Sequence, residues 1–232
     1  VLLKTLPLIG GIARINRGPL LIGEYNEVEE IGYKLTSLKL ILSEARRRKW
    51  WAVLVAPELP DVTEVRNALF SLGLKPVNRP SWGSGLINLQ NTEEDILMGL
   101  DGKWRNCLRK GIRLGVATNL SGFSNNEIEW LNRTYKAFQS NKGFSGLSEK
   151  LLKNLLVQRG RSWHFNILFA FENDDKLDEP IGAIVAIKHG DTATYLIGIT
   201  NEMGRKLQAN YVLLWKAILD SKDRGCKWFD IG

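Results

Sequence analysis

The hydrophobic and polar positions change period most clearly between residues 191 and 232. The segment TATYLIGIT is rich in β-branched and aromatic residues, which predicts a strand. A glycine inside such a run, here Gly198, is typical of a bulge or of a close approach between backbone and ligand. The polar segment NEMGRKLQAN follows, and apolar residues at three- and four-residue spacing then predict a helix that ends at Gly225. Those residues are Tyr211, Leu214, Trp215 and Ile218. The closing segment, CKWFDIG, is extended again.

The start of that helix is a candidate anion site. A helix that begins beside the end of a strand offers backbone N–H groups without intrahelical partners and the positive end of its dipole. The turn over residues 203–210 occupies this place. We therefore expect it to hold a negatively charged group.

The first half of the chain predicts strand, strand, helix, strand, helix, strand, strand. Residues 1–22 are two extended segments interrupted at Gly10 and Gly11, and helical periodicity predicts helices at 36–49 and 61–72. The buried strand WWAVLVAP lies between these helices. Two short strands are predicted at residues 75–80 and 85–90.

The second half predicts helices followed by a run of strands. A helix opens at Thr92, is interrupted near residues 99–102 and resumes to residue 115, before a short strand near Val116. Ser124 and Ser148 begin two further helices, the second of which ends at Gly160. Three consecutive strands, WHFNILFAFE, IGAIVAIKH and TATYLIGIT, come next. This order of elements predicts a fold of the broad α/β class, in the α+β form in which helices accompany mixed sheets.

The resumed helix carries a concentration of positive charge. Trp104, Leu108 and Ile112 form its predicted apolar stripe, and Arg105, Arg109 and Arg113 lie beside that stripe at a spacing of four. Lys103 and Lys110 add two further cations, with no acidic residue among them. Two interpretations stay open: a solvated face whose aliphatic stems cover apolar surface, or a contact with RNA or phosphate.

Composition narrows the classes of partner. The net charge of +7 and the pI of about 9.4 favour anionic partners such as phosphates, nucleotides or RNA; the alternative is a basic surface that serves solubility alone. No apolar run is long enough to span a bilayer and no signal peptide is visible, so we expect a cytoplasmic protein. Cys107 and Cys226 are far apart and outside any Cys-x-x-Cys motif, so neither a disulfide framework nor a metal site is expected.

The second order of elements resembles that of the GNAT N-acyltransferase fold up to its fifth strand, and the first half resembles the later part of another such domain. Two tandem GNAT-like domains are similar to the Fem family of peptidoglycan-bridge aminoacyltransferases. Three segments carry the likeness: LPLIGGIARINRGPLL, KWRNCLRKGIRLGV, and the long segment from YLIGITNEMG to CKWFDIG. The resemblance implies domains at 1–92 and 93–232, the second beginning with the basic helix at 93–115. It also implies that both domains are incomplete in this chain.

The resemblance also implies where ligands bind. In GNAT enzymes, a bulge in the fourth strand exposes backbone groups to the acyl donor, and the next turn holds its pyrophosphate. Gly198, Gly204, Arg205 and Lys206 occupy those places here. The family's phosphate pattern, Arg or Gln, two residues, Gly, one residue, then Gly or Ala, is not matched, which weakens the case for coenzyme A. Fem-family proteins share that loss and take their acyl group from aminoacyl-tRNA.

Acceptor binding and proton transfer have weaker candidates. Lys142, before Gly143 and Phe144, matches a basic residue of Fem relatives that could hold the diphosphate of a nucleotide- or lipid-linked muropeptide; the alternative is a solvated lysine with Phe144 as an apolar anchor. The candidate proton handlers are Glu172, Tyr195, Tyr211 and Asp230, each of which also suits a structural role. Direct attack by an amine needs no nucleophilic side chain.

Three functions follow as hypotheses. The first is transfer of an aminoacyl group from tRNA to the amine of a peptidoglycan precursor in cell-wall synthesis, with no tightly bound cofactor and with tRNA held by Lys103, Arg105, Arg109 and Arg113. The second is acyl-coenzyme A-dependent acylation of an amino sugar or amino acid, as in polysaccharide modification. The third is a binding protein that keeps the fold without the chemistry.

Overall fold

A computed structural model describes residues 2–6, 10–77, 83–157, 163–173 and 179–232. The chain divides into two compact units, residues 1–80 and residues 81–232. The sequence-based boundary after residue 92 differs from this division, because the strand Leu86–Asn88 pairs with Trp228–Asp230 in the sheet of the second unit. The predicted combination of helices and mixed sheets is confirmed.

In its described residues, the first unit is a three-stranded sheet with two helices. Strand β1 (Leu2–Leu6) is antiparallel to β2 (Gly10–Asn16), which is parallel to β3 (Ala52–Ala56). Helix α1 (Glu27–Arg47) begins well before the predicted residue 36, because Asn26 and Glu29 form a capping box that satisfies its first N–H groups. Helix α2 spans Thr63–Ser71. Of the strand predicted at 75–80, residues 75–77 are not a strand and the rest lie outside the described residues.

The described part of the second unit is a six-stranded mixed sheet with helices on both faces. The strand order is β4-β9-β8-β7-β6-β5; β8 and β9 run parallel to each other and the other neighbouring pairs are antiparallel. The strands are β4 (Leu86–Asn88), β5 (Ala117–Leu120), β6 (Trp163–Phe171), β7 (Gly182–His189), β8 (Thr192–Thr200) and β9 (Trp228–Asp230). The helices are α3 (Glu93–Gly99), α4 (Gly102–Arg113), α5 (Asn125–Lys142), α6 (Glu149–Val157), α7 (Glu202–Lys206) and α8 (Ala209–Asp223).

Each face of this sheet has its own apolar cluster. The first cluster joins side chains of α3, α4 and α8, among them Ile96, Leu108 and Leu213, to one face. The second cluster joins α5 and α6, through residues such as Leu131 and Leu152, to the other face. The long strands β6 and β7 are therefore buried on both sides, which explains their nearly continuous apolar sequences.

Two predicted helix faces differ from the observed ones. In α4 the buried positions are Leu108 and Gly111, whereas Ile112 is 56% exposed. Glycine at 111 lets α4 approach α8 closely, since a β-carbon there would lie 2.6 Å from Val212 Cγ2, and this contact turns Ile112 away from the core.

Helix α8 is rotated relative to the predicted face for the same reason. It turns Val212, Leu213, Ala217 and Ile218 inward. Tyr211, Leu214 and Trp215 are only partly buried and lie at the edge of the first cluster.

No helix among the described residues combines the length and the apolar character needed to cross a bilayer.

Candidate active site at the bulge of strand β8

Strand β8 contains a bulge at Leu196. Val185 of β7 is opposite Ile197 and the next residue, Ala186, is opposite Tyr195, so Leu196 is the extra residue. The alternation of side chains shifts there: Leu196 and Ile197 both contact the second cluster, while Tyr195 lies against the first. The predicted irregularity in this strand is present, but it lies two residues before Gly198.

Strands β8 and β9 separate just before the bulge. They pair from Thr192 opposite Trp228 to Thr194 opposite Asp230, and no further pair forms although Ile231 and Gly232 are described. Instead, the Ile231 N–H donates to the carbonyl of Gly85, 3.0 Å away, and the chain follows the segment that precedes β4. Among the described residues, the edge of β8 from Tyr195 to Thr200 thus has no partner strand on the β9 side. We call this opening the β8–β9 gap.

Tyr195 and Gly198 lie together beside this gap. The Tyr195 phenol extends along β8 and covers the α-carbon of Gly198, so that a β-carbon at position 198 would overlap the hydroxyl oxygen and lie 2.7 Å from Cζ. Glycine is therefore required here for space, since its φ is not positive. Burial raises the pKa of Tyr195 above its usual value of 10.0, because the phenolate would lose hydration. The phenol is protonated at neutral pH.

The turn after β8 is built on Asn201 and Gly204. The Asn201 side chain accepts a hydrogen bond from the Gly204 N–H at 2.8 Å and begins the short helix α7. Gly204 is buried, and a β-carbon there would overlap the carbonyl oxygen of Ile181. The structure thus gives Gly204 a packing contact with the start of β7, whereas Arg205 and Lys206 are exposed. One Arg205 guanidinium nitrogen donates to the carbonyl of Thr200 at 3.2 Å.

Gln208 is a residue that the sequence did not single out. It precedes α8 with a left-handed backbone, φ 61° and ψ 29°, a conformation that usually favours glycine. Its side-chain amide donates to the carbonyl of Arg205 at 3.1 Å, so α8 begins without a side-chain cap. If Arg205 is aligned with the first position of the family's phosphate pattern, Gln208 stands in place of the central glycine and Asn210 in place of the final glycine or alanine. This alignment is the sequence signal that points to Gln208.

The basic helix α4 packs against this turn. A β-carbon at Gly111 would lie 3.2 Å from the carbonyl oxygens of both Leu207 and Gln208. The Trp104 and Tyr211 rings meet edge to face at 5.6 Å. A hydrogen bond with the Cys107 thiol, together with burial, raises the pKa of Tyr211. Tyr211 is thus engaged with α4.

The four cations proposed for tRNA differ in their environment. The Arg105 guanidinium donates to the carbonyls of Met98 and Leu100, at 2.6 and 3.0 Å, and so stabilises the junction between α3 and α4. Lys103, Arg109 and Arg113 are exposed, and within the described residues the one side-chain hydrogen bond of these three is from Arg109 to the Asn106 side chain, 3.2 Å away.

The remaining candidates lie in structural surroundings. The Phe144 ring packs on Phe138 at 5.8 Å, and Lys142 is the exposed last residue of α5. Glu172 is half-buried just beyond β6. The buried Asp230 carboxylate accepts hydrogen bonds from the Ser84 hydroxyl and the Gly232 N–H, which hold the end of β9 beside the segment before β4. Among the described residues, no three His, Cys, Asp or Glu side chains are grouped as metal ligands.

Comparisons with known proteins agree with this fold. The model of one family, described as acetyltransferase (GNAT) domain, matches residues 99–232. The crystal structure of FemX superposes with a TM-score of 0.74 and 13% identity, covering 99% of this chain and 74% of that one. No curated protein sequence is significantly similar.

Two further solved structures share the fold. The C-terminal domain of a protein described as a lysylphosphatidylglycerol synthetase, from Agrobacterium fabrum, gives a TM-score of 0.57 at 11% identity, covering 97% of this chain and 63% of that one. L-PGS from Bacillus licheniformis gives 0.56 at 12% identity, covering 87% of this chain and 58% of that one. The chain thus spans less than two thirds of either protein. At these identities the likeness shows a common fold.

Proposed function

We propose that this chain transfers an aminoacyl group. The chain belongs to the acetyltransferase (GNAT) domain family and is therefore an acyltransferase. The donor in this proposal is aminoacyl-tRNA and the acceptor is the amine of a peptidoglycan precursor peptide. Charged tRNA is a cytoplasmic molecule, so the proposal places the reaction in the cytoplasm and in cell-wall synthesis.

The extent of the likeness to FemX is the observation that carries the proposal. The GNAT family match begins at residue 99, whereas the likeness to FemX covers 99% of the chain and so includes the first unit. A second fold neighbour is described as a synthetase of lysylphosphatidylglycerol, a lipid that carries an amino acid. Both neighbours favour an aminoacyl group over a simple acetyl group.

The β8–β9 gap suits direct transfer between donor and acceptor. Attack of an amine on an ester needs the two groups held together, a proton acceptor, and donors for the charge that develops on the carbonyl oxygen. The unpaired edge of β8 offers backbone groups from Tyr195 to Thr200, and the bulge at Leu196 alters their direction. No nucleophilic side chain is required.

The turn between β8 and α8 favours a tRNA donor over coenzyme A. With Gln208 in place of the glycine of the phosphate pattern, backbone and pyrophosphate approach each other less closely. Cations on both sides of the turn can instead contact a phosphodiester backbone. These are Arg205, Lys206, Lys103, Arg109 and Arg113, all of them exposed. Lys142, also exposed, is the proposed contact to the diphosphate of the acceptor.

An acyl-coenzyme A-dependent N-acyltransferase acting on an amino sugar or amino acid is the second candidate. The description of the matching family as an acetyltransferase favours it. Saturable binding of coenzyme A by the chain, weakened by Arg205→Ala, would support this candidate over the first.

A transfer assay tests the proposal. Full-length protein is incubated with tRNA charged with radiolabelled amino acids and with a nucleotide-linked muropeptide, and the label in peptide is counted. The proposal predicts label in the peptide for at least one amino acid. Tight binding of both substrates without transfer of any amino acid would contradict it.

A further inference from the structure

The Tyr195 hydroxyl is a hydrogen-bond donor that the fold leaves unused. Its ring packs at the edge of the first cluster, yet among the described residues the hydroxyl has no hydrogen-bond partner. Among the described residues, the buried side-chain polar atoms without a partner are Arg105 Nε and Trp163 Nε1, so the Tyr195 hydroxyl is accessible from outside the fold. A phenylalanine would fill the same space as the ring, and the hydroxyl therefore adds nothing to the packing.

The position of Tyr195 connects this donor to the β8–β9 gap. Thr194 is the last residue of β8 that pairs with β9, so Tyr195 is the first residue beside the gap. The bulge at the next residue allows Tyr195 and Gly198 to lie on the same face of the sheet, and the phenol extends over Gly198 into the unpaired part of the strand. The absence of a side chain at position 198 is what leaves room for the hydroxyl.

We propose that the Tyr195 hydroxyl donates a hydrogen bond to the carbonyl oxygen of the acyl group being transferred, and that Gly198 keeps the hydroxyl in this place. This inference rests on the proposed function, since it concerns the same site. The acceptor amine forms a bond to the carbonyl carbon, and the π pair moves to the oxygen that Tyr195 contacts. When the carbonyl re-forms, the bond to the tRNA ribose oxygen breaks with its electron pair. That oxygen receives the proton that the amine releases, so Tyr195 begins and ends protonated.

Chemical properties of the phenol agree with this role. Burial disfavours the phenolate, so the group stays a donor through the neutral range. A donor fixed in advance towards the developing charge needs no reorganisation during the reaction, and in a site of low dielectric its effect exceeds that of a hydrogen bond in water. The Tyr195–Gly198 contact supplies that fixed geometry.

Tyr195→Phe tests the inference against a purely structural role. We expect kcat for aminoacyl transfer to fall about 100-fold, as for loss of one donor to an oxyanion, while KM and the melting temperature change little. Tyr33→Phe, on an exposed tyrosine of the first unit, is the matched control and should keep wild-type kcat. If wild type transfers and Tyr195→Phe keeps its kcat, the inference is wrong and the proposed function stands. If wild type transfers no aminoacyl group, the proposed function itself fails.

A titration gives a second readout that needs no turnover. The tyrosinate absorbance of wild type minus that of Tyr195→Phe isolates the ionisation of Tyr195. An adenosine carrying an alanyl group in amide linkage at its 3′ position has the carbonyl of the donor and cannot react. At saturation this probe should move the ionisation of Tyr195 to higher pH, because its carbonyl accepts from the neutral phenol. An unchanged titration with the probe bound would overturn the inference.

Discussion

The Tyr195 hydroxyl covers the α-carbon of Gly198, three residues further along the same strand, because the bulge at Leu196 places both residues on one face of the sheet. Any side chain at position 198 would occupy the space of the phenol. The pair is therefore a single steric unit, and it lies where β8 loses its pairing with β9.

Gly198→Ala should destabilise the fold through this contact. The added methyl group overlaps the phenol, and overpacking of this kind costs about 1–3 kcal/mol in free energy of unfolding. In a Tyr195→Ala background the same change should cost much less, which gives a coupling energy of about 0.5–3 kcal/mol. Urea denaturation of the four proteins measures both. Gly122→Ala, on an exposed glycine with open space around it, should be close to neutral. Equal costs in both backgrounds would show that the pair is not in contact.

The raised pKa of Tyr195 predicts a loss of stability in alkali. The phenol ionises near pH 10.0 in the unfolded chain and at higher pH in the folded one, so the unfolded state releases its proton first. The stability that the neutral phenol provides is fully present below pH 10.0 and declines as pH rises through the folded pKa. The free energy of unfolding of wild type minus that of Tyr195→Phe should therefore fall between pH 9 and pH 11. If this difference in free energy is constant over this range, the pKa of Tyr195 is not raised by folding.

Neutralising Arg205 and Lys206 should weaken donor binding without unfolding the protein. Both side chains are exposed beside the start of α8, so Arg205→Ala with Lys206→Ala should change the free energy of unfolding by only about 0.5 kcal/mol. A charge-assisted bond to phosphate is worth about 1.5–3 kcal/mol, so the affinity for charged tRNA should fall at least tenfold at low salt and less at high salt.

The matched control removes two exposed cations of α5, Arg133→Ala with Lys136→Ala. This control should keep wild-type affinity for tRNA. If the two double variants show the same fall in affinity, the effect is one of net charge, and the turn is ordinary surface.

The four cations of helix α4 proposed for tRNA should have two different roles, one of them structural and the other three in binding. Arg105→Ala leaves the carbonyls of Met98 and Leu100 without their charged donor, which should cost about 1–3 kcal/mol in stability. The triple change of Lys103, Arg109 and Arg113 to alanine should leave the melting temperature almost unchanged. A plot of log affinity for tRNA against log salt concentration has a negative slope. The triple change should make this slope shallower by about 1 for each phosphate that the protein no longer neutralises. An unchanged slope would leave α4 as a solvated face.

Local signals in the sequence predicted most of the elements correctly. The three long strands, the interruption between α3 and α4, and the capping box of Ser124 and Glu127 are confirmed, because each depends on neighbouring residues. Helix α1 begins before the predicted residue 36 because Asn26 and Glu29 form a capping box, a signal that apolar periodicity alone does not contain.

Features that depend on distant partners could not be predicted in the same way. The face of α4 is set by Gly111 against Val212, and the bulge is set by the register with β7, so neither follows from the local periodicity. Gln208 adopts a left-handed conformation that its residue type does not indicate. The β8–β9 gap arises where Ile231 pairs with Gly85 instead of continuing along β8. The geometry of the candidate site consists mainly of such contacts, which is why local patterns in the sequence do not predict it.

The mass added to the acceptor tests the central claim most directly. Full-length protein is given equal concentrations of acetyl-coenzyme A and of tRNA charged with a mixture of amino acids, together with a nucleotide-linked muropeptide, and the peptide product is weighed by mass spectrometry. Transfer of an aminoacyl group predicts a mass increase equal to one amino-acid residue, absent when the tRNA is deacylated beforehand. An increase equal to an acetyl group, or no increase with either donor, would contradict the account.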